Sequence, residues 1–320
     1  MTRIETRRLG KSGLEVSAIG LGCNNFGRVG TQTETQEGTT AMLAEAVDLG
    51  VTMLDTADIY GATPGQSETM MGVALRGRRD RVVLATKFGH AEVDMGIGGG
   101  AAKGSRAYIR EAIAHSLRRL ETDHIDLYQM HTPDPSVPIG ETIAALNELV
   151  DEGKIRFFGH SQFSAEQMVD AARAARSLGL RDFISAQDEY SLLARGVEAA
   201  VLPTVAEMGL AFLPFFPLHN GLLTGKFTRS VRPADSRITR QRPHIADDAP
   251  WDTLEKYEAY CAERSISMLV ASIGWLLSHS AVTSVIAGAT RPSQLRQNVE
   301  AASQWLPTKA DLKVLDDIFS

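Results

Sequence analysis

The chain has 320 residues, 43% of them hydrophobic, with 33 basic against 39 acidic side chains and a formal net charge of −6. This is the mixture of an ordinary globular protein, and it excludes a disordered, collagen-like or disulfide-stapled chain. A mildly acidic chain without a Lys/Arg run also lacks what non-specific nucleic-acid binding requires, a set of cations that neutralises phosphates.

Met1–Thr6 has no apolar core of a signal peptide. In residues 1–15, Leu9-Gly10-Lys11-Ser12-Gly13-Leu14 reads as a Gly-flanked turn between short extended stretches, a β-hairpin placed to plug one end of the fold. Eight short apolar or β-branched runs then alternate with longer helical patterns. They are Val16–Gly22, Thr52–Asp55, Arg81–Phe88, His124–His131, Ile155–Ser161, Phe183–Tyr190, Ala211–Leu218 and Ser284–Thr290. Runs that stay apolar for four residues or more suit a parallel sheet buried on both faces. Three- and four-residue apolar spacing marks helices at Tyr108–Leu120, Ile139–Val150 and Ala165–Leu178. Gly50, Gly153, Gly179 and Gly209 stand where left-handed C-terminal caps belong. Ser67-Glu68 and the Ser164…Gln167 capping-box pattern read as helix starts.

Eight strand–helix units predict an α/β chain folded as a single (β/α)8 TIM barrel over residues 1–320. A Rossmann sheet is the competitor, but Gly20-Leu21-Gly22-Cys23-Asn24-Asn25 lacks the third glycine of its fingerprint. Gly96–Ser105 resembles a phosphate loop, yet its order is Lys-Gly-Ser where Gly-Lys-Ser/Thr is needed; it reads as a flexible loop over the barrel mouth, with Ser105 or a neighbour opening the next helix. The polar stretch 219–250, after the seventh strand, is expected to be a long cofactor-covering loop, partly disordered. The most apolar segment, Ile266–Leu277, is well short of the roughly twenty residues of a bilayer span. The two cysteines, Cys23 and Cys261, form no bridge framework. The expectation is therefore a cytoplasmic protein without membrane insertion, its oligomeric state open.

In such a barrel, chemistry sits at the C-terminal strand ends. Asp55, Lys87 and His131 close three successive strands there, and Tyr60 follows in the loop after the first of them. Three ionisable groups at one mouth require partners. The set suits carbonyl reduction: Lys87 lowers the pKa of the Tyr60 phenol, Asp55 holds Lys87, His131 orients the carbonyl, and Tyr60 protonates the developing alkoxide. No histidine spacing suggests a metal, and none is expected.

These residues carry a resemblance. Leu9–Ser17, Asp55-Thr56-Ala57-Asp58-Ile59-Tyr60-Gly61, Thr86-Lys87-Phe88-Gly89, Tyr128-Gln129-Met130-His131 and Pro217–Lys226 together resemble the aldo-keto reductase superfamily along nearly the whole chain. The resemblance implies an NAD(P)H-dependent reductase of aldehydes or ketones with Asp55, Tyr60, Lys87 and His131 as its catalytic tetrad. It places the nicotinamide carboxamide against Ser161, Gln162 (where the family usually has Asn) and Gln187. Phe215 would stack on the ring, unless it is a core residue of an apolar strand. Pro217, Leu218, Gly221, Leu223, Gly225 and Lys226 would line the pyrophosphate. Gly288, Thr290, Arg291, Gln294 and Asn298 would hold the adenosine end, Arg291 selecting NADP (NADPH) over NAD through a ribose 2′-phosphate. A helix opening at Pro292 adds a terminus that attracts phosphate. Asn24, Asn25, Phe26, Arg28, Ile59 and Phe88 should rim the substrate pocket, although Asn24 and Asn25 serve equally as turn formers. The loops that carry these residues hold no arginine cluster that would demand an anionic substrate. The alternative function is a cofactor-binding regulatory subunit with slow turnover, since the superfamily includes potassium-channel β-subunits.

Overall fold

A computed structural model describes residues 4–234 and 236–320. The chain opens with an antiparallel hairpin, β1 (Thr6–Arg8) and β2 (Glu15–Ser17). Eight parallel strands follow: β3 (Ile19–Gly22), β4 (Met53–Asp55), β5 (Val83–Phe88), β6 (Ile125–Met130), β7 (Ile155–Ser161), β8 (Ser185–Gln187), β9 (Ala211–Phe212) and β10 (Val285–Gly288). Their spatial order is β10-β3-β4-β5-β6-β7-β8-β9, so the chain winds once around with a single direction of crossover. β9 and β10 meet through the parallel bridges Phe212–Val282 and Phe215–Ile286. Phe212 N donates to Ala281 O at 3.0 Å and Ile286 N to Pro214 O at 2.9 Å, which brings the ends of the curled sheet together. This is the (β/α)8 arrangement with its N-terminal hairpin.

The helices outside the strands are α1 (Gln36–Asp48), α2 (Gln66–Ala74), α3 (Arg106–Arg119), α4 (Ile139–Asp151), α5 (Ala165–Leu178), α6 (Val201–Met208), α7 (Arg237–Gln241), α8 (His244–Asp247), α9 (Trp251–Glu263), α10 (Met268–Leu277), α11 (Pro292–Gln304) and α12 (Lys309–Ile318). The three helices read from periodicity fall in place, and α5 carries the full Ser164/Gln167 capping box. Ser67 does not start a helix. α2 begins one residue earlier behind Gly65, because the Ser67 hydroxyl bonds Thr56 Oγ1 and Cys23 O, both at 2.9 Å, and is unavailable as a cap. The run Ala211–Leu218 is a strand only to Phe212, since Pro214 and Pro217 have no N–H to give a ladder. The stretch 219–250 is more regular than expected. It contains a 3-10 turn at His219–Thr224 besides α7 and α8. Among the described residues, no helix is long and apolar enough to cross a membrane.

Side-chain parity organises the interior. Along β4, β5 and β6 the residues Met53, Ala85 and Leu127 face inward and pack with Leu9, Val16, Ala211, Leu213 and Ile286. Their neighbours Leu54, Leu84 and Tyr128 face the helices. The hairpin residues Leu9 and Val16 thus belong to the inner cluster and seal the N-terminal end of the barrel. Gly10 permits this approach: at φ +56 it lies so close that a Cβ would sit 2.5 Å from Ile184 O. Arg7 fastens the hairpin through Val282 O at 2.8 Å and Leu277 O at 3.0 Å.

Candidate active site

Continuing the inward parity by two residues reaches Asp55, Lys87 and Gln129, and by four reaches His131. The period of a strand is what puts them on one face above the apolar floor. Lys87 is fully buried, and its Nζ donates to Asp55 Oδ2 at 2.7 Å and to Thr56 O at 2.8 Å. Asp55 Oδ1 accepts from Gln187 Nε2 at 2.9 Å and Gln129 Nε2 at 3.3 Å. The ammonium lies 5.0 Å from the centroid of the Tyr60 ring, which stands edge-on to His131 at 6.0 Å between centroids. The three side chains named at successive strand ends and Tyr60 from the loop after β4 therefore converge.

Their electrostatics differ in one respect from the sequence reading. Burial is the largest influence on Tyr60 and raises its pKa; the Lys87 charge pulls the other way without prevailing. The phenol is held protonated rather than sharpened toward the phenolate. For Lys87 burial acts downward, but attraction from Asp55 and Tyr60 outweighs it and the ammonium persists. His131 is kept well below the usual histidine range, by burial first and then by Lys87 and His90. A neutral imidazole results, with its Nδ1 buried and unpartnered and His90 packed edge-on at 4.7 Å.

A cavity of about 1110 Å³ opens over these groups. Asp55, Tyr60 and His131 line its deep end, and Lys87 lies beneath the wall. Of the residues assigned to a cofactor, Ser161, Gln162, Gln187, Phe215, Pro217, Leu218, Gly221, Lys226, Gly288, Thr290, Arg291, Gln294 and Asn298 face the cavity. Leu223 is fully buried below it, and Gly225 packs beside Met268. Asn24, Asn25, Arg28 and Ile59 line the cavity as well. Phe26 and Phe88 do not; both are fully buried in the outer apolar layer. Phe88 has the opposite parity to Lys87 and stacks on Tyr128 at 4.7 Å. The Gly96–Ser105 loop also stays off the cavity wall, although Ser105 does cap α3.

Several lining residues were not singled out from sequence, among them His90, Phe216, Arg237, Arg240 and Arg242. The three arginines stand close together in sequence after β9, outside the loops after β3, β4 and β5 to which the pocket rim was assigned. Backbone strain is a further signal that sequence does not display. Gln162, Phe216 and Asn220 line the cavity at φ of 62°, 49° and 57°, a region that residues other than glycine rarely occupy.

The cavity fits an extended dinucleotide. Its volume exceeds the roughly 300–1,000 Å³ of ordinary ligand pockets. It runs from His131 past the aromatic Phe215 to the N-terminus of α11, where Pro292 stands in the first turn. Thr290 N and Oγ1 both bond Gln294 Oε1, at 2.8 and 3.0 Å, which fixes this corner.

Residues 18–318 match the model of the Aldo/keto reductase family. The chain belongs to that family. Among its relatives is an L-glyceraldehyde 3-phosphate reductase of Escherichia coli (strain K12), 34% identical over 98% of this chain and 92% of its own length. A probable voltage-gated potassium channel subunit beta of Oryza sativa subsp. japonica is also 34% identical, over 93% of this chain and 91% of its own. An uncharacterised oxidoreductase of Bacillus subtilis (strain 168), YrpG, is 36% identical over 99% and 96%. Family members with oxidoreductase names support an oxidoreductase here.

Proposed function

We propose that this aldo/keto reductase family member reduces an aldehyde or ketone to the alcohol with NADPH, reversibly, in the cytoplasm. One observation carries the reading: Tyr60, the buried Lys87–Asp55 pair and His131 converge beside one large cavity, with burial favouring a protonated phenol and a neutral imidazole. NADPH supplies the hydride when bound. Ser161, Gln162, Gln187 and Phe215 hold its reactive end; Pro217, Leu218, Gly221 and Lys226 line its pyrophosphate; Gly288, Thr290, Arg291, Gln294 and Asn298 hold the adenosine end. Arg291, at the start of α11, favours the 2′-phosphate.

His131 donates its N–H to the substrate carbonyl oxygen and fixes its direction. Tyr60 Oη gives its proton to the same oxygen as negative charge develops there, and the nearby ammonium of Lys87 stabilises the phenolate left behind. Asp55 keeps Lys87 charged and in place. Tyr60→Phe should therefore lower kcat for 4-nitrobenzaldehyde about a hundredfold or more while NADPH binds as before. A Tyr60→Phe protein that turns over normally would remove this mechanism.

The channel-subunit relatives favour a second reading, in which the same site binds cofactor as a regulatory device with slow turnover. A broad carbonyl panel decides between them: tight NADPH binding with no turnover on any member selects the second.

A further inference from the structure

We propose that Lys103 is a positioning residue for the reaction: its ammonium clamps the loop after β5, so that the His90 imidazole packs against His131 and fixes the direction in which that ring points. The inference rests on the reductase reading above and adds to it two residues outside the tetrad.

A histidine that must aim an N–H is ordinarily held by a hydrogen bond at its other ring nitrogen. His131 lacks this support: among the described residues its buried Nδ1 has no partner. The rings around it must hold it instead. Tyr60 stands edge-on at 6.0 Å between centroids, and His90 at 4.7 Å with an interplanar angle of 89°. His90 is the nearer of the two, and it lines the cavity with His131. Its own ring is oriented, because Glu92 N donates to His90 Nδ1 at 3.2 Å.

The chain gives this loop little order of its own. Between β5 and α3, glycine stands at 89, 96, 98, 99, 100 and 104, and the first five of these have positive φ. Glycine loses more conformational freedom on folding than any other residue. Order is imposed from two sides. Thr132, next to His131, accepts from Ala91 N at 2.9 Å and donates to Gly89 O at 3.0 Å. From the far end of the loop, Lys103 Nζ donates to His90 O, and to Ala91 O and Val93 O at 2.8 Å each. An ammonium has three N–H donors, and here they face three carbonyl oxygens of one turn. Charge-assisted bonds are about twice as strong as neutral ones. The lysine that lends Gly96–Ser105 its likeness to a phosphate loop is thus spent on its own backbone, and the turn it gathers is the one that carries His90.

The experiment removes the ammonium and then returns it. Lys103→Ala leaves room for propylammonium, the part of the side chain that has been cut away. With NADPH saturating, kcat for 4-nitrobenzaldehyde should fall about tenfold, while KM and NADPH affinity stay within about twofold. Propylammonium chloride should restore most of the loss. Tetramethylammonium chloride at equal ionic strength, having no N–H, should restore none. Lys103→Met, which fills the space without the charge, should be as slow as Lys103→Ala and not respond to either salt. His90→Ala should lose kcat to the same degree, and His90→Phe, which keeps a ring against His131, should retain most of it. Lys103→Ala added to His90→Ala should cost little more, since both act through one contact. Hydrogen exchange of the amides of residues 91–93 should quicken in Lys103→Ala and slow again with propylammonium. Losses that multiply in the double variant, a His90→Phe protein as slow as His90→Ala, or restoration by tetramethylammonium would overturn the proposal. If wild type reduces no aldehyde the reductase reading fails by itself, and exchange still decides the clamp: rates in the loop unchanged by Lys103→Ala reject it.

Discussion

Asp58 shows how much chemistry a single buried residue adds to this site. Its loop carries Tyr60, its backbone N–H donates to Lys87 O at 3.2 Å, and both carboxyl oxygens are buried without partners. Beneath it lie the unpartnered hydroxyls of Tyr108 and Tyr128 and the Glu68–Arg119 ion pair at 2.6 Å. Burial, then Glu68, raises the Asp58 pKa to about 8. Its unfolded value is near 4, so between about pH 4 and about pH 8 the folded state binds a proton that the unfolded chain has released. Stability contributed by this group is greatest at the acid end of that window and is lost as pH rises through it. Asp58→Asn, neutral throughout, should flatten this part of the profile. Urea midpoints at about pH 5 and about pH 8 test it, and an unchanged difference between them would refute the assignment. Sequence made Asp58 visible only as part of the Asp55–Gly61 motif; the burial that alters its chemistry comes from α2, α3 and β6. Phe88 suits a substrate pocket by type, but the neighbour of an inward Lys87 faces outward, a rule of alternation the sequence contains if strand parity is followed; Phe26, in the turn after β3, has no strand register from which its burial could be read. The Tyr60 phenol was misjudged in direction, because the attraction of a lysine is legible from sequence and the depth of burial is not.

At the scale of elements, β7 and β8 are held closer than ordinary side chains allow. Gly159 faces Ser185, and a Cβ at Gly159 would lie 2.1 Å from Ser185 Oγ and 3.1 Å from its carbonyl oxygen. These strands end in Ser161 and Gln187, whose link is Ser161 Oγ to Gln187 O at 2.8 Å. Gly159→Ala should therefore destabilise the protein by about 1–3 kcal/mol and weaken NADPH binding as well. Adding Ser185→Ala should recover part of both, and a denaturant series on the three variants checks it; no recovery would place the strain elsewhere. The eight barrel strands were legible because buried parallel strands are short apolar runs, and three helices because their apolar spacing is regular. The bounds of β8 and β9 were overdrawn, as apolar residues continue past the last ladder bond. α7 and α8 escaped notice because helices of five and four residues leave too few turns for a periodic pattern.

For the molecule as a whole, the fold and the four convergent side chains were readable because both follow from strand order, while the meeting of distant loops was not. Arg28 and Gln241 become neighbours only when the loops after β3 and β9 come together beside the cavity. The hairpin at the other end has a kinetic consequence. With Leu9 and Val16 filling the base of the barrel, both reactants must use one doorway, and on the proposed reading the nucleotide lies across the floor with the carbonyl compound above it. Whichever partner rests lower has to enter before the other and depart after it. Steady-state inhibition should then be asymmetric: NADP⁺ competes with NADPH at every aldehyde concentration, whereas the alcohol product never does. A random-order pattern would mean that the corridor admits either visitor at any time.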